Sequence, residues 1–265
     1  MTKTLIPAQR RQRIRDYLAV HGVAHSTALS DLLKVSEATI RRDLDWLEAE
    51  VIVERTHGGA ALSHRLPNEP DYTSSAQTHP VEKRSIGAAA AALVQEGDTV
   101  FVNSGTTATQ VIRHISAANV TVITNNVSAA VEIGRTGSVH FELILLGGAF
   151  RPRAKSVAGR FALETLRQMV AAKAFIGVDG ISPKYGFTTP TADEAETARL
   201  MIERTRGAVT VVADHSKWGV VSNFEIAPLN RAQTLITDSR LEREARTELA
   251  AHLIEVIVVE ADSSF

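Results

Sequence analysis

From residue 81 onward, short apolar stretches rich in β-branched residues alternate with alanine-rich or amphipathic stretches, and this alternation constrains the fold most strongly. Short β-branched runs are typical of buried strands, and helical spacing in the intervening segments predicts helices. We therefore expect a parallel, helix-covered sheet, which is an α/β fold. The predicted strands are 99–102, 120–124, 141–146, 173–178, 208–213, 235–237 and 255–259. The predicted helices are 82–95, 110–115, 129–133, 162–169, 192–205 and 242–251.

Polar clusters follow six of these predicted strands, and ligands of parallel α/β sheets bind beyond the carboxyl ends of the strands. Hydroxyls and backbone N–H groups at a helix start favour an anion, and a lysine adds positive charge. Each cluster alone fits a helix cap or a turn equally well, but together they indicate one effector site on the same rim. The predicted effector-binding residues are Ser104, Gly105, Thr106, Thr107, Asn125, Asn126, Gly147, Gly148, Asp179, Gly180 and Lys217.

Three short helices are predicted in the first fifty residues. The first runs from Pro7 to about residue 20, buries Ile14 and Leu18, and is ended by Gly22. The second begins near Ser26, predicted as its N-cap, and the predicted buried residues on it are Leu29, Leu32 and Leu33.

The third helix follows a turn at Lys34 and Val35 and begins near Ser36, another predicted N-cap. Its apolar residues Ile40, Leu44 and Leu47 form one stripe. A short helix, a tight turn and a second helix with polar residues at its leading end are typical of a helix-turn-helix. The β-branched run at 51–53, followed by Gly58 and Gly59, predicts a small hairpin, the wing.

The leading face of the third helix and the wing are the predicted DNA-binding surface. Small side chains allow close approach to the major groove, threonine reaches base edges, and arginine binds guanine or phosphate. The predicted DNA-binding residues are Ser36, Ala38, Thr39, Arg41, Arg42, Arg55 and His57. A packing module without DNA is the alternative interpretation of a three-helix cluster.

The charge distribution favours the DNA-binding interpretation. The formal net charge is −1, yet residues 1–42 carry eight basic and three acidic side chains. A basic head on a near-neutral chain suits a protein whose head meets a polyanion. A solvated, charged first helix would give the same count.

Several motifs of the head recur in order and resemble the DNA-binding signature of the DeoR family of bacterial regulators. They are Leu33-Lys34-Val35-Ser36, Thr39-Ile40-Arg41-Arg42-Asp43-Leu44, Leu47 and His57-Gly58-Gly59-Ala60. The family usually has glycine where this chain has Val51, so the entry to the wing is expected to differ in backbone conformation.

The second half resembles the sensor domain of the same family, whose fold is similar to ribose-5-phosphate isomerase. The matching motifs are Ser104-Gly105-Thr106-Thr107, Thr124-Asn125-Asn126, Leu146-Gly147-Gly148, Gly177-Val178-Asp179-Gly180-Ile181, Glu194-Ala195 and Asp214-His215-Ser216-Lys217. The resemblance implies a phosphorylated sugar effector bound by Ser104, Thr106, Thr107, Asp179 and Lys217. The family often has aspartate where this chain has Asn103, a change that bears on effector choice.

The sequence thus predicts a winged helix-turn-helix at 1–60, a proline-containing linker without a long element at 61–80, and an α/β effector-sensing domain at 81–265. Leu66 or Tyr72 of the linker is expected to dock on the second domain. The predicted function is a DNA-binding repressor of sugar-metabolism or sugar-uptake genes, working as a homodimer or homotetramer because paired half-sites need paired heads. Its predicted partners are double-stranded operator DNA and the sugar phosphate.

Other classes of function are disfavoured by what the sequence lacks. Cysteine is absent, which excludes disulfides and thiolate metal sites, and no run of about 18 apolar residues predicts a membrane span. Residues 1–12 have basic residues without a following apolar core, so no signal peptide is expected and a cytoplasmic location is predicted. No cofactor or metal site is predicted.

An isomerase-like enzyme with an accessory DNA-binding head is the alternative function. Such an enzyme needs a positioned acid/base pair, and the isomerase motif has further acids after its Asp-Gly. Here Ile181 and Ser182 follow, and Glu194 and Glu196 fall within a predicted helix. The expected function is therefore regulation without catalysis.

Overall fold

The computed structural model describes residues 6–21, 23–49, 53–56, 58–62, 64–66, 69–136, 140–252 and 254–261. Gly22, Val51 and His57, which carry sequence predictions, lie outside these residues, as does the side chain of Leu66. The chain divides into two compact units, Met1–Arg65 with Gly219–Val221 and Leu66–Trp218 with Ser222–Phe265. Within the described part of the chain, no helix is long and apolar enough to cross a bilayer.

The first unit contains three helices and a small sheet. In chain order its elements are α1 (Pro7–His21), β1 (Val23–His25), α2 (Ser26–Leu33), α3 (Glu37–Ala49), β2 (Val53–Thr56), β3 (Gly59–Leu62) and β4 (His64–Leu66). The apolar stripe of α3 is fully buried, as predicted, and packs with Ile14, Leu18 and Leu29 in one core. Lys34 ends α2 in the left-handed conformation, with φ of 55°, and this makes the tight turn before α3.

The N-cap prediction holds for Ser36 and is wrong for Ser26. The Ser36 hydroxyl accepts a hydrogen bond from the Thr39 amide at 3.3 Å. The N-cap of α2 is His25, whose side chain makes no cap bond, and Ser26 is the first helical residue. The prediction that Leu32 is buried is also wrong, because the buried stripe of α2 comprises Ser26, Leu29 and Leu33 and leaves Leu32 50% exposed.

The predicted wing is confirmed as a hairpin of β2 and β3, in register from Val53 opposite Leu62 to Thr56 opposite Gly59. Strand β1, which was not predicted, adds a third antiparallel strand on β3. A Cβ at Gly59 would lie 2.1 Å from the Ala24 carbonyl oxygen, so the close approach of β1 requires glycine there.

The second unit is an α/β domain, as the alternation predicts. Its helices are α4 (Tyr72–Gln77), α5 (Pro80–Ala91), α6 (Thr106–His114), α7 (Val127–Thr136), α8 (Arg160–Leu166), α9 (Ala192–Glu203) and α10 (Arg243–Ala251). Its strands are β5 (Thr99–Val102), β6 (Val120–Thr124), β7 (Phe141–Leu145), β8 (Ala149–Arg151), β9 (Ser156–Ala158), β10 (Lys173–Gly177), β11 (Gly180–Ser182), β12 (Gly186–Thr189), β13 (Val209–Val212), β15 (Phe224–Ala227), β16 (Thr234–Asp238) and β17 (Glu255–Val259). Strand β14 (Val220–Ser222) has Val220 and Val221 in the first unit.

The main sheet has seven parallel strands in the order β17-β16-β13-β10-β5-β6-β7. Chain order runs outward from β5 to one edge and from β10 to the other, so it reverses between β5 and β10. Such a reversal leaves a crevice at the carboxyl ends of the two neighbouring strands, where ligands of α/β sheets bind. The smaller sheets β11-β12-β15 and β8-β9 of this unit were not predicted.

The segment predicted as a linker carries more structure than expected. Its first residues end β3, and Tyr72–Gln77 forms the short helix α4. Asp71 caps α4 by accepting hydrogen bonds from the amides of Thr73 and Ser74, at 2.9 and 3.2 Å. The sequence signal of α4 is therefore its N-cap, because the helix lacks the apolar periodicity that usually indicates a helix. We call residues 69–78, which precede α5, the connector.

Candidate functional site

The leading end of α3 forms an exposed polar surface in the first unit. Ser36, Ala38, Arg41 and Arg42 are exposed and Thr39 is half-buried. The hydroxyls of Ser36 and Thr39 lie 2.9 Å apart. Arg41 Nη2 lies 3.4 Å from Glu37 Oε2 in an exposed pair, an interaction that contributes little in water. The guanidinium groups of Arg41 and Arg42 are therefore available to DNA.

A buried carboxylate joins this helix to α1. Asp43 is 2% exposed, forms an ion pair with the buried Arg10, and accepts a hydrogen bond from Arg11 Nε at 3.2 Å. The Arg11 guanidinium also lies over the Trp46 ring, 4.1 Å from its centroid. Two of the basic residues behind the predicted charge asymmetry thus hold the first unit together. This role of Asp43 was not predicted from the sequence.

Arg55 of the wing faces α3. Its side chain is 29% exposed, and its Nη1 lies 4.0 Å from Asp45 Oδ1. Of the wing residues predicted to bind DNA, Arg55 therefore already has an acidic neighbour, Asp45, within the first unit. The other, His57, lies outside the described residues.

A solvent-open pocket in the second unit lies at the reversal in strand order. Residues that follow β5 and β10 form its base, Lys217 follows β13, and Glu194 comes from the first turn of α9. The connector forms a further wall. The lining residues are Glu69, Pro70, Tyr72, Ser75, Asn103, Ser104, Gly105, Thr106, Thr107, Ala154, Gly177, Val178, Asp179, Thr189, Pro190, Glu194, Lys217 and Ile226.

The start of α6 forms one end of the pocket. Gly105 is the N-cap, with φ of 124°, a conformation that disfavours other residues, and glycine has no side chain with which to cap the helix. Among the described residues, the hydroxyls of Thr106 and Thr107 and the ammonium of Lys217 have no hydrogen bond or ion pair. An uncapped helix start with hydroxyls and an ammonium nearby is suited to an anion.

A buried carboxyl group lies behind the start of α6. Glu194 Oε2 accepts a hydrogen bond from Ser104 Oγ at 2.6 Å, and Oε1 accepts one from Ser156. Asn125 Nδ2 lies 3.4 Å from Oε2, and Arg151 Nε lies 3.8 Å from Oε1. Burial raises the pKa of Glu194, and these four partners oppose the rise. The sequence places Glu194 in a motif of the sensor domain and makes it a candidate isomerase acid, but its hydrogen bonds behind α6 were not predicted.

The segment that follows β10 presents a further carboxylate in the pocket. Asp179 Oδ2 accepts a hydrogen bond from Thr189 Oγ1 at 2.8 Å, and its amide donates to the Thr188 carbonyl at 3.0 Å. Asp179 Oδ1 has no hydrogen-bond partner within the described ranges. The pocket therefore offers an anion-binding end and acceptor oxygens for hydroxyl groups.

A charged cluster surrounds the segment that carries Lys217. Lys83 donates to the carbonyls of Ser75 and Thr78 at 2.5 and 2.7 Å, and its Nζ lies 3.9 Å from Asp214 Oδ2. Burial lowers the pKa of Lys83, and Asp214 opposes the shift. Lys83 thus fixes the end of the connector to the loop after β13.

Asp238, at the end of β16, holds the same loop. It accepts hydrogen bonds from the His215 amide at 2.8 Å and from the His215 ring. Burial alone would raise the pKa of Asp238, but the hydrogen bonds from His215 and Arg240 outweigh burial and lower it. An ionised Asp238 therefore fixes the loop that presents Lys217.

The predicted effector residues fall into two groups. Those that line the pocket are Ser104, Gly105, Thr106, Thr107, Asp179 and Lys217; those that do not line it are Asn125, Asn126, Gly147, Gly148 and Gly180. Asn125 and Asn126 are fully buried. The Asn125 amide donates to Glu194, and the Asn126 amide donates to the Thr109 hydroxyl. Gly147 and Gly148 follow β7 at the edge of the sheet, separated from β5 by β6, whereas the pocket lies at the reversal in strand order between β5 and β10.

Two family models together match most of the chain. The DeoR-like helix-turn-helix domain matches residues 10–65, and the DeoR C terminal sensor domain matches residues 78–239. Most of the connector lies between the two matches.

Curated relatives match along nearly the whole chain. The HTH-type transcriptional repressor GlcR of Bacillus subtilis is 34% identical over 96% of this chain and 97% of that protein. The HTH-type transcriptional regulator GlpR of Haloferax volcanii is 32% identical over 96% and 98%. A putative aga operon transcriptional repressor of Escherichia coli O157:H7 is 32% identical over 95% and 94%.

Solved structures resemble part of the chain more weakly. Ribose 5-phosphate isomerase A of Methanocaldococcus jannaschii has a TM-score of 0.37 and 17% identity, over 51% of this chain and 53% of that chain. At this level the similarity carries no argument about function.

Proposed function

The chain belongs to the DeoR family of transcriptional regulators, and we propose that it is a cytoplasmic repressor of sugar-metabolism or sugar-uptake genes, released from its operator by a phosphorylated sugar. The observation that carries the proposal is the pocket at the reversal in strand order. There the start of α6, the hydroxyls of Thr106 and Thr107 and the ammonium of Lys217, which have no hydrogen bond or ion pair to any described residue, line the same pocket as the Asp179 carboxylate. One end suits a phosphate and the other suits sugar hydroxyls.

The phosphate is assigned to the end formed by α6 and the loop after β13. Backbone N–H groups at the start of α6, the hydroxyls of Thr106 and Thr107 and the ammonium of Lys217 would surround it. Asp179 Oδ1 would accept a hydrogen bond from a sugar hydroxyl. An unphosphorylated sugar would leave the anion-binding groups unused and bind more weakly.

Operator DNA is assigned to the exposed leading end of α3. Arg41 and Arg42 would contact base edges or phosphates, with Ser36, Ala38 and Thr39 close to the groove. Two copies of the chain would read two half-sites, as a homodimer or as part of a homotetramer. The effector acts by binding one arrangement of the two heads more tightly than the other.

A thermal-shift screen of the full chain tests the effector class. Pentose and hexose monophosphates are compared with the same sugars without phosphate. An effector at about 100 times its dissociation constant stabilises the folded protein by about 2.7 kcal/mol. Stabilisation by sugar phosphates alone supports the proposal, and equal stabilisation by unphosphorylated sugars would contradict it.

A sugar-phosphate isomerase activity is the second candidate, favoured by the raised pKa of Glu194 beside the pocket. However, both carboxyl oxygens of Glu194 already accept hydrogen bonds, from Ser104 and Ser156. A general base must reach the proton that it abstracts, and these bonds fix Glu194 as a structural acceptor. Incubation with aldose phosphates, followed by a ketose assay, distinguishes the two functions, and turnover lost in Glu194→Gln would favour the enzyme.

A further inference from the structure

We propose that the connector is part of the effector site, held there by the ion pair of Glu69 with Arg151, so that a bound effector contacts and tightens the segment leading to the DNA-reading unit. This inference rests on the proposed effector pocket and adds residues that neither matched domain includes. Four connector residues line the pocket: Glu69, Pro70, Tyr72 and Ser75.

Glu69 is attached to the buried carboxyl group behind α6 through one arginine. Arg151 forms a short ion pair with Glu69, donates to Thr191 Oγ1 at 2.7 Å, and lies 3.8 Å from Glu194. The Arg151 and Glu69 side chains are only 15% and 19% exposed, so solvent screens this pair less than a surface pair. Glu194 in turn accepts a hydrogen bond from the Ser104 hydroxyl. The pocket wall and the connector are thus joined through Arg151.

Tyr72 attaches the connector at a second point. Its hydroxyl lies 2.8 Å from Thr109 Oγ1, and Thr109 Oγ1 donates to the Gly105 carbonyl at 2.9 Å. The Tyr72 amide donates to the Arg153 carbonyl at 2.8 Å. Tyr72 is therefore fixed to the first turn of α6, the turn that forms the anion-binding end.

Glu69 retains an acceptor for a ligand. Arg151 pairs with Glu69 Oε1, and Oε2 has no hydrogen-bond partner among the residues that the structure describes. A polyhydroxyl ligand with its anionic group at α6 can donate a hydroxyl to Glu69. Such a ligand would bridge α6 and the connector. Binding would thereby tighten the segment of chain that leads out of the pocket.

Hydrogen exchange of the full chain without ligand tests the attachment. Glu69→Ala is compared with wild type and with Glu164→Ala, which removes an exposed carboxylate from its pair with Arg160, at 2.7 Å. We expect amides 72–78 to exchange about tenfold faster in Glu69→Ala alone, since local opening becomes easier. Unchanged exchange in this segment would overturn the proposal, whatever the ligand does.

Addition of ribose 5-phosphate as the probe tests the contact with ligand. The probe should slow hydrogen exchange both at residues 104–109 and in the connector. The affinity for the probe should fall about tenfold in Glu69→Ala, the loss expected for one hydrogen bond to a charged group, and should not change in Glu164→Ala. Protection of 104–109 without the connector overturns this inference and leaves the proposed function standing. If the probe protects neither segment, that result counts against the proposed effector class. The ligand-free comparison still tests the attachment of the connector.

Discussion

Asn103 and Gly177 exchange two hydrogen bonds across the reversal in strand order. Asn103 Nδ2 donates to the Gly177 carbonyl at 2.9 Å, and the Gly177 amide donates to Asn103 Oδ1 at 2.7 Å. The pair joins the ends of β5 and β10 at the base of the pocket. An aspartate at this position could accept a hydrogen bond from the Gly177 amide but could not donate one to its carbonyl when ionised.

Asn103→Ala should lower the free energy of unfolding by about 1–3 kcal/mol, because both backbone groups of Gly177 lose a partner at a mostly buried position. Urea unfolding of the full chain measures the change. Asn230→Ala, at an exposed position, is the control and should leave stability within about 0.5 kcal/mol of wild type. Equal stability of the two variants would contradict the role of this pair.

Asp43→Asn should destabilise the first unit. The buried Arg10 would lose its ionised partner, and breaking a buried ion pair costs about 3–5 kcal/mol. Thermal unfolding followed with probes in residues 10–65 measures the loss. Asp31→Asn, at an exposed position on α2, is the control. A variant with Asp43→Asn that unfolds like wild type would show that the ion pair of Asp43 with Arg10 contributes no stability.

Arg41→Ala and Arg42→Ala should each weaken binding to promoter DNA, by about 1–3 kcal/mol if the lost contact is bidentate to a base. Both side chains are exposed, so neither substitution should change the unfolding temperature appreciably. Fluorescence anisotropy with DNA from upstream of the gene measures the affinity, and Arg231→Ala in the second unit is the control. Wild-type affinity in both variants would remove the assignment of α3 as the recognition helix.

Glu194 should make stability depend on pH in a direction opposite to that of a salt-bridged carboxylate. Its folded pKa is raised above the ordinary value of 4.5, so the folded state retains the proton longer than the unfolded state does. Its contribution to stability is therefore present below pH 4.5 and is lost as pH rises through the raised folded pKa.

The difference in unfolding free energy between wild type and Glu194→Gln, measured by urea unfolding at several pH values, should shrink with rising pH in that window. Glu196→Gln, at an exposed position on the same helix, is the control and should track wild type. A difference that grows with pH would mean that the pKa of Glu194 is lowered in the folded protein.

The sequence predicts local elements better than it predicts their arrangement. The bounds of β5, β6 and β17 agree with the prediction, because β-branched runs between polar residues mark buried strands. Helix α6 begins at Thr106, four residues before the predicted core of the helix, because its first turn has no apolar periodicity. The order of strands depends on contacts distant in sequence. Gly147 and Gly148 were therefore predicted at the site although β7 lies at the edge.

The connector wall of the pocket was not predicted, because it too depends on contacts between residues distant in sequence. The connector has the composition of a loop, and nothing local indicates that Glu69 pairs with a residue 82 positions away. Docking of Leu66 or Tyr72 on the predicted α/β domain was expected, and the hydrogen bond between Tyr72 and Thr109 confirms it for Tyr72. Glu194 belongs to a quoted motif, but its burial against Ser104 and Ser156 becomes visible only in the folded chain.

Lys217→Ala should leave DNA affinity unchanged and weaken the response to effector, because it removes the free ammonium from the anion-binding end of the pocket. A charge-assisted hydrogen bond to phosphate contributes about 1.5–3 kcal/mol, so the effector concentration for half release should rise about tenfold or more. Lys184→Ala, at an exposed position, is the control. A Lys217→Ala variant that responds at the wild-type concentration would place the phosphate elsewhere.

The most direct test of the account is a titration of the wild-type protein with promoter DNA, with and without sugar monophosphates, followed by fluorescence anisotropy. We expect one pentose or hexose monophosphate to weaken DNA binding about tenfold or more, within the usual range of allosteric coupling, while the same sugar without phosphate does not. DNA affinity that no sugar phosphate changes would contradict the claim that this regulator senses a phosphorylated sugar.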